Sequence, residues 1–332
     1  MKRIFSISIL FLFCTASAQD IHWSQFYAAP LSLNPAKCGA FDGDVRAGLN
    51  YRSQWSAVPV PFKTMTAWAD APLKSQKFRF YPAIGFSALH DQAGDGNLRS
   101  DRFSALLGLH KRVGVFNSIV YHAGLQATYV QRKIDYSKLY FNSQWNDYRY
   151  DPANLPSGEN PTAVSHQYFD VSFGMSMNVN RFNGSAYYFS AALHHLAQPV
   201  ESFYGTSNRI GIRPVIETGA TFHLSEFFNF SPAMMYTSEK RASEFVIGSN
   251  LTLLTQTMDE RKFLAGIWMR AGDAVVFDIG AETYGVRGIL SYDINTSSLK
   301  RATNGRGALE LSLVWIGLWK NRHVLNMMCP RF

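Results

Sequence analysis

The chain has 332 residues, a formal net charge of +8, 47% hydrophobic residues and 14% aromatic ones. Its 32 Lys and Arg and 24 Asp and Glu are dispersed without a like-charge block, which argues against the clustered basic face of a nucleic-acid binder. Beyond the amino terminus no apolar run approaches the ~20 residues that a membrane-spanning helix needs, so any membrane reading must rest on strands.

Lys2 and Arg3 precede an apolar stretch over 4–14, and Thr15-Ala16-Ser17-Ala18 closes it with an Ala-x-Ala pattern. This is the layout of a secretory signal peptide cleaved before Gln19.

Residues 19–42 precede the first strand and carry Trp23, Phe26, Tyr27, Leu31, Leu33 and Phe41. So much apolar surface is costly in water, so the segment is expected to pack as a plug in a lumen, on a periplasmic rim or on a partner.

From residue 43 the chain becomes a ladder of segments in which apolar and polar side chains alternate. Residues i and i+2 of a strand share a face. Val45, Ala47, Leu49 and Tyr51 therefore oppose Arg46, Gly48, Asn50 and Arg52, and Leu309, Leu311, Leu313 and Trp315 oppose Ala308, Glu310 and Ser312. Strands are predicted over 43–52, 62–72, 79–90, 99–112, 119–131, 167–178, 184–195, 213–223, 227–237, 243–254, 261–270, 273–282, 285–294 and 306–316. The even total of about 14 suits a single-chain bacterial outer-membrane barrel. The polar faces favour Gly, Ser, Thr, Asn and isolated charges, which fits a confined lumen better than the Lys- and Glu-rich solvent face of a sandwich. The fold class expected is all-β, a transmembrane antiparallel β-barrel over 43–316 in contact with a lipid bilayer. The inward charges, among them Arg46, Arg52, Asp170, Glu217, Asp293 and Glu310, are expected to pair with one another.

Connections after the first, third, fifth and seventh strands (53–61, 91–98, 132–166 and 196–212) are long, and those after the fourth, sixth and eighth are short. Long loops thus collect on one side, the expected extracellular one. The longest, 132–166, holds Trp145, Tyr148 and Tyr150, and a partner-binding or lid role stands beside that of a mobile surface loop. Asp91, Asp95 and Asn97 read as an Asx-rich turn rather than a calcium loop, because Arg102 stands where an EF-hand loop would need Glu.

After the last strand, residues 317–332 form an expected periplasmic tail. Phe332 resembles the terminal aromatic that marks barrels for insertion, or belongs to a tail that docks a partner. Once Cys14 leaves with the signal peptide, only Cys38 and Cys329 remain, near opposite ends of the chain. A disulfide between them and two separate thiols are both open readings.

No nucleophile turn, zinc-protease helix or phosphate loop is present. Adjacent His194 and His195 on a strand should face opposite sides and cannot jointly hold one metal. No catalytic residue, cofactor or metal is expected, and the chain does not read as an enzyme.

Ordered motifs then point to a family. Residues 20–36 read DIHWSQFYAAPLSLNPA, followed by NYRSQW at 50–55, DQAGDG at 91–96, RAGDA at 270–274, SYDINTS at 291–297, GALELS at 307–312 and CPRF at 329–332. Nearly the whole mature chain resembles the PorP/SprF family of Bacteroidetes outer-membrane proteins, associated with type IX secretion and gliding. Cys38 departs from the small or apolar residue expected there. The resemblance adds Asn34, Pro35, Asp293 and Asn295 to Trp23, Phe26 and Tyr27 as plug or partner-binding candidates, without a mechanism. It implies an outer-membrane component that supports export or surface attachment of a cognate secreted protein, such as a gliding adhesin with a C-terminal sorting domain, together with other type IX secretion or periplasmic envelope components. The alternative is a passive outer-membrane transporter of hydrophobic or small polar solutes, since fatty-acid transporters share the strand number.

Overall fold

The computed structural model describes residues 21–55, 60, 62–73, 79–114, 118–159, 161, 163–205, 207–255, 261–297 and 300–318. Its strands are β1 (Val45–Gln54), β2 (Phe62–Pro72), β3 (Phe80–Ala93), β4 (Leu98–Val113), β5 (Ile119–Lys133), β6 (Ser165–Asn180), β7 (Ala186–His194), β8 (Arg213–His223), β9 (Phe228–Glu239), β10 (Ala242–Leu254), β11 (Lys262–Arg270), β12 (Ala274–Thr283), β13 (Val286–Asn295) and β14 (Arg306–Gly317). Each pairs antiparallel with its neighbours in sequence, and β1 pairs with β14 from Val45↔Gly317 to Gln54↔Ala308 to close the barrel. Closure follows from the setting: an open sheet edge in hydrocarbon leaves N–H and C=O groups that nothing satisfies.

The alternation predicted from sequence fixes the faces. On β1, Arg46, Gly48, Asn50 and Arg52 are buried in the lumen while Leu49 is exposed, and on β14 Glu310 and Ser312 point inward against exposed Leu309, Leu311, Leu313 and Trp315. Among the described residues no helix is long and apolar enough to cross a membrane.

The even strand number brings the start of β1 and the end of β14 to one rim, the terminal rim. The opposite loop rim carries the two longest connections, 134–164 and 195–212. These fold onto each other: Glu201 pairs with Arg132 and accepts from the Tyr168 hydroxyl at 2.9 Å, and Ala163 N–H donates to the Phe203 carbonyl at 3.3 Å. The expected long connection over 91–98 contracts to 94–97, because alternation carries β3 on to Ala93 and starts β4 at Leu98. Gly94 and Asn97 turn the chain there at φ +66° and +50°. Loop asymmetry therefore rests on two connections rather than four.

Three local departures from a regular ladder matter. The β8–β9 pairing is interrupted between Gly219↔Ala233 and Phe222↔Phe230, where Pro232 has no N–H to donate. The β13–β14 register shifts between Tyr292 and Ile294, with the extra residue on β14, where Gly307 and Ala308 together oppose Asp293. Residue His195 leaves β7 at φ +60°, so the two adjacent histidines do not face opposite sides as the sequence led us to expect. Both turn inward, His194 to Ser172 and the Leu33 carbonyl, His195 to Asp170. Among the described residues no group of His, Cys, Asp and Glu has the arrangement of a metal site.

Ahead of β1 lie two 3-10 turns, Phe26–Ala28 and Pro35–Lys37, flanking the short helix α1 (Pro30–Leu33). Pro30 and Pro35 open their turns at positions where a missing N–H costs nothing. Another short helix, α2 (Lys300–Thr303), lies between β13 and β14.

Candidate functional site

The interior of the barrel is occupied by residues 22–44, and the seat they fill is built in three parts. The first lies in the loop-rim half, where β1 and β14 set Arg52 directly across from Glu310. The Glu310 carboxylate accepts the backbone N–H groups of Ser24 and Gln25 at 2.9 and 3.0 Å and Arg52 Nη1 at 3.0 Å. Arg52 Nη2 also reaches Asp293 at 3.1 Å, and Arg270 bridges Asp293, Asp273 and Glu244 at 3.3, 2.9 and 3.3 Å.

Ser24 closes this cluster. Its hydroxyl donates to Asp293 Oδ2 at 2.7 Å and accepts from Arg270 Nη2 at 2.7 Å and from Arg52 Nη1. A hydroxyl has one proton and two lone pairs, so Ser24 is saturated. Buried charges of this kind tolerate burial only when every member is paired, and the lumen segment supplies a neutral polar group that both arginines and Asp293 need.

The second part is aromatic. The Phe26 ring meets Trp268 edge-on at 5.3 Å, and Tyr27 stacks on the same indole at 5.3 Å with 29° between planes. Trp268 is itself held by hydrogen bonds from Nε1 to Asp278 at 2.8 Å and Asn250 at 3.1 Å. Phe26 and Leu33 join Val215, Met235, Val246 and Val276 in an apolar cluster inside the barrel. Offset and edge-on ring pairs are worth about 0.5–1.5 kcal/mol beyond their buried area.

The third part is a track of small residues across four strands. Ala83, Gly108, Gly124 and Gly174 on β3, β4, β5 and β6 are neighbours in register and all face the lumen. A Cβ added to Gly124 would collide with the Pro35 carbonyl, and one added to Gly174 would collide with the Asn34 side chain. Close backbone approach is what glycine permits here. Asn34 then donates from Nδ2 to Ser190 Oγ at 2.7 Å and to the Ala191 and Met175 carbonyls at 3.0 and 3.2 Å, while its Oδ1 accepts from Ala36 N–H at 2.8 Å.

Toward the terminal rim the segment is tied by charge again. Lys37 pairs with Glu217 at 2.5 Å, Arg46 with Asp70 at 2.8 Å, and Asp70 also accepts from Gly39 N–H at 2.6 Å. Cys38 is a free thiol, wholly buried against Trp68, Ala83 and Leu106. Burial pushes its pKa up to about 12.

These contacts bring together Trp23, Phe26, Tyr27, Asn34, Pro35 and Asp293 of the sequence candidates. Asn295 points inward as well but bonds within its own connection, to Thr303 and the Arg306 carbonyl at 3.3 and 3.4 Å. The 134–164 candidates lie outside the barrel, with Trp145 and Tyr150 in ring contact at 5.2 Å and Tyr148 90% exposed. Cys329 and Phe332, the expected signal peptide and the tail beyond Leu318 lie outside the described residues. Ser24, Arg270, Trp268 and the glycine track escaped sequence reasoning. The one available signal was glycine recurring on the polar face of successive strands, at 108, 124 and 174.

The toluene transporter TbuX of Ralstonia pickettii is similar in fold, with a TM-score of 0.51 at 7% identity over 86% of this chain and 92% of its own. A FadL homologue of Pseudomonas aeruginosa gives 0.47 at 10% identity, covering 85% and 92%, and the P. putida toluene transporter TodX gives 0.46 at 10%, covering 86% and 93%. At such identities the likeness concerns the outer-membrane barrel fold alone. No curated protein matches the chain in sequence. The family model described as type IX secretion system membrane protein PorP/SprF matches residues 15–315. Nearly the full length of the sequence is thus accounted for by one family, and the chain belongs to PorP/SprF, the type IX secretion system membrane proteins.

Proposed function

We propose that the protein is a closed-lumen component of type IX secretion that supports export or cell-surface attachment of a cognate secreted protein, such as a gliding adhesin with a C-terminal sorting domain. The observation that carries this reading is the seat itself: residues 22–44 are bonded to the wall in both halves of the lumen. A chain so anchored acts as a plug, and cargo then passes beside the barrel or is held on it.

In this reading residues 1–18 are a cleaved signal peptide and the loop rim faces outward. The 134–164 connection, with Trp145, Tyr148 and Tyr150, meets the secreted partner. The terminal rim and the 317–332 tail, with Phe332, meet periplasmic or secretion components. A transporter reading draws only on fold likeness, and the charged and hydrogen-bonded filling of the lumen argues against an apolar solute path. Affinity capture from detergent-solubilised outer membrane should recover a secreted surface protein or a secretion component. Recovery of neither, from cells in which the barrel is folded and abundant, would overturn the proposal.

A further inference from the structure

Beside the plug, in the loop-rim half, the lumen keeps a cavity of about 640 Å³, part of it open to solvent. It lies between Trp23 and the inner faces of β3 to β8.

Three polar atoms of the lining have no hydrogen-bond partner among the described residues: Trp23 Nε1, Gln126 Oε1 and Asp170 Oδ1. Trp23 and Asp170 are each only 5% exposed. Gln126 and Asp170 are both held by their other end. The Gln126 amide donates to Ser104 and Thr128 at 3.0 and 3.1 Å, and Asp170 Oδ2 bonds His195 Nδ1 at 2.8 Å. Each therefore presents one fixed acceptor oxygen. Strand pairing sets Thr128 across from Asp170, with Gln126 two residues along the same strand, so the two oxygens are neighbours on one face.

A group that satisfies these atoms must donate twice and accept once. Hydroxyls do both, whereas an ammonium has no lone pair for the indole N–H. Arg102 and Arg213 also line the cavity, which further disfavours a cation. Hydrocarbon is excluded by the cost of leaving three buried polar atoms unmet. Tyr168 and Trp23 bring aromatic surface to the same lining, suited to the C–H face of a sugar ring.

We propose that this cavity binds a hydroxyl-rich ring of monosaccharide size, either free or as the terminal residue of a larger glycan. The inference is independent of the secretion role. The test uses the full mature protein in a detergent without a sugar headgroup, titrated calorimetrically with glucose, galactose and mannose, their disaccharides, and cadaverine as the ammonium control. Saturable binding of at least one pyranose is expected, weakened tenfold or more by both Asp170→Asn and Trp23→Phe. Binding of monosaccharides indicates a free ligand; binding of disaccharides alone indicates a glycan end. Retained heat-modifiable migration shows that each variant is folded, and Gln126→Leu replaces either variant that is not. The proposal is overturned if no sugar binds, so that water alone fills the cavity, if cadaverine binds more tightly, or if folded variants bind as well as the native protein.

Discussion

At the scale of single residues, Glu310 shows how the plug and the wall depend on each other. One carboxylate serves two backbone N–H groups of the plug and the Arg52 guanidinium. Glu310→Ala would leave two buried backbone donors unpaired and take from buried Arg52 one of its two carboxylate partners, a loss of roughly 3–5 kcal/mol. Urea titration followed by heat-modifiable gel mobility should register that loss, and a change within error of native stability would mean that solvent replaces the carboxylate. Cys38 offers a second reading. With its pKa raised to about 12 it holds almost no thiolate at neutral pH. In a Cys329→Ser background the folded barrel should resist maleimide while the urea-unfolded chain reacts at once. The raised value also makes its contribution to stability complete below the unfolded thiol's pKa of ~8.5 and progressively lost as pH climbs from there toward 12. Arg52 and Glu310 were legible as inward residues from alternation alone. Their mutual bond, and the Ser24 hydroxyl that joins them to Arg270, were not, because period 2 assigns a face and says nothing of which distant strands meet.

At the scale of elements, the lumen segment and the two long connections do different work. Deleting residues 20–41 should convert a non-conducting barrel into a conducting one in planar bilayers. Unchanged conductance from a correctly folded deletion variant would sink the plug. Gly174→Val makes a subtler test, since a side chain there collides with Asn34. It should unseat the lower plug, raising conductance and exposing Cys38 to maleimide while the barrel stays heat-modifiable. On the loop rim, replacing 136–161 with a short linker should abolish recovery of the secreted partner without changing conductance. Equal recovery would move the partner site elsewhere. Strand positions were largely legible, as β2 and β8 show by matching their predicted bounds. The 91–98 connection was misjudged because Asp91 and Gly94 carry turn chemistry, yet Asp91 sits in β3 and accepts from the Thr64 hydroxyl at 2.6 Å. A neighbouring strand won over local propensity there.

At the scale of the whole molecule, a closed sheet with an apolar exterior surrounds a charge-paired interior in which residues 22–44 are seated. By itself the sequence determined the outward and inward faces, the even strand number and hence the shared rim of the two barrel ends. Each of these follows from short-range periodicity and from the need to satisfy every backbone group in lipid. Tertiary structure decided the rest. The lumen of a barrel this size has room for either water or chain, and the choice depends on contacts between residues far apart in sequence: Ser24 with Asp293, Asn34 with Ser190, Lys37 with Glu217. Glycines 108, 124 and 174 become a track only when register lines them up across three strands. Such alignments arise on closure, which is why alternation could announce a barrel without saying what fills it.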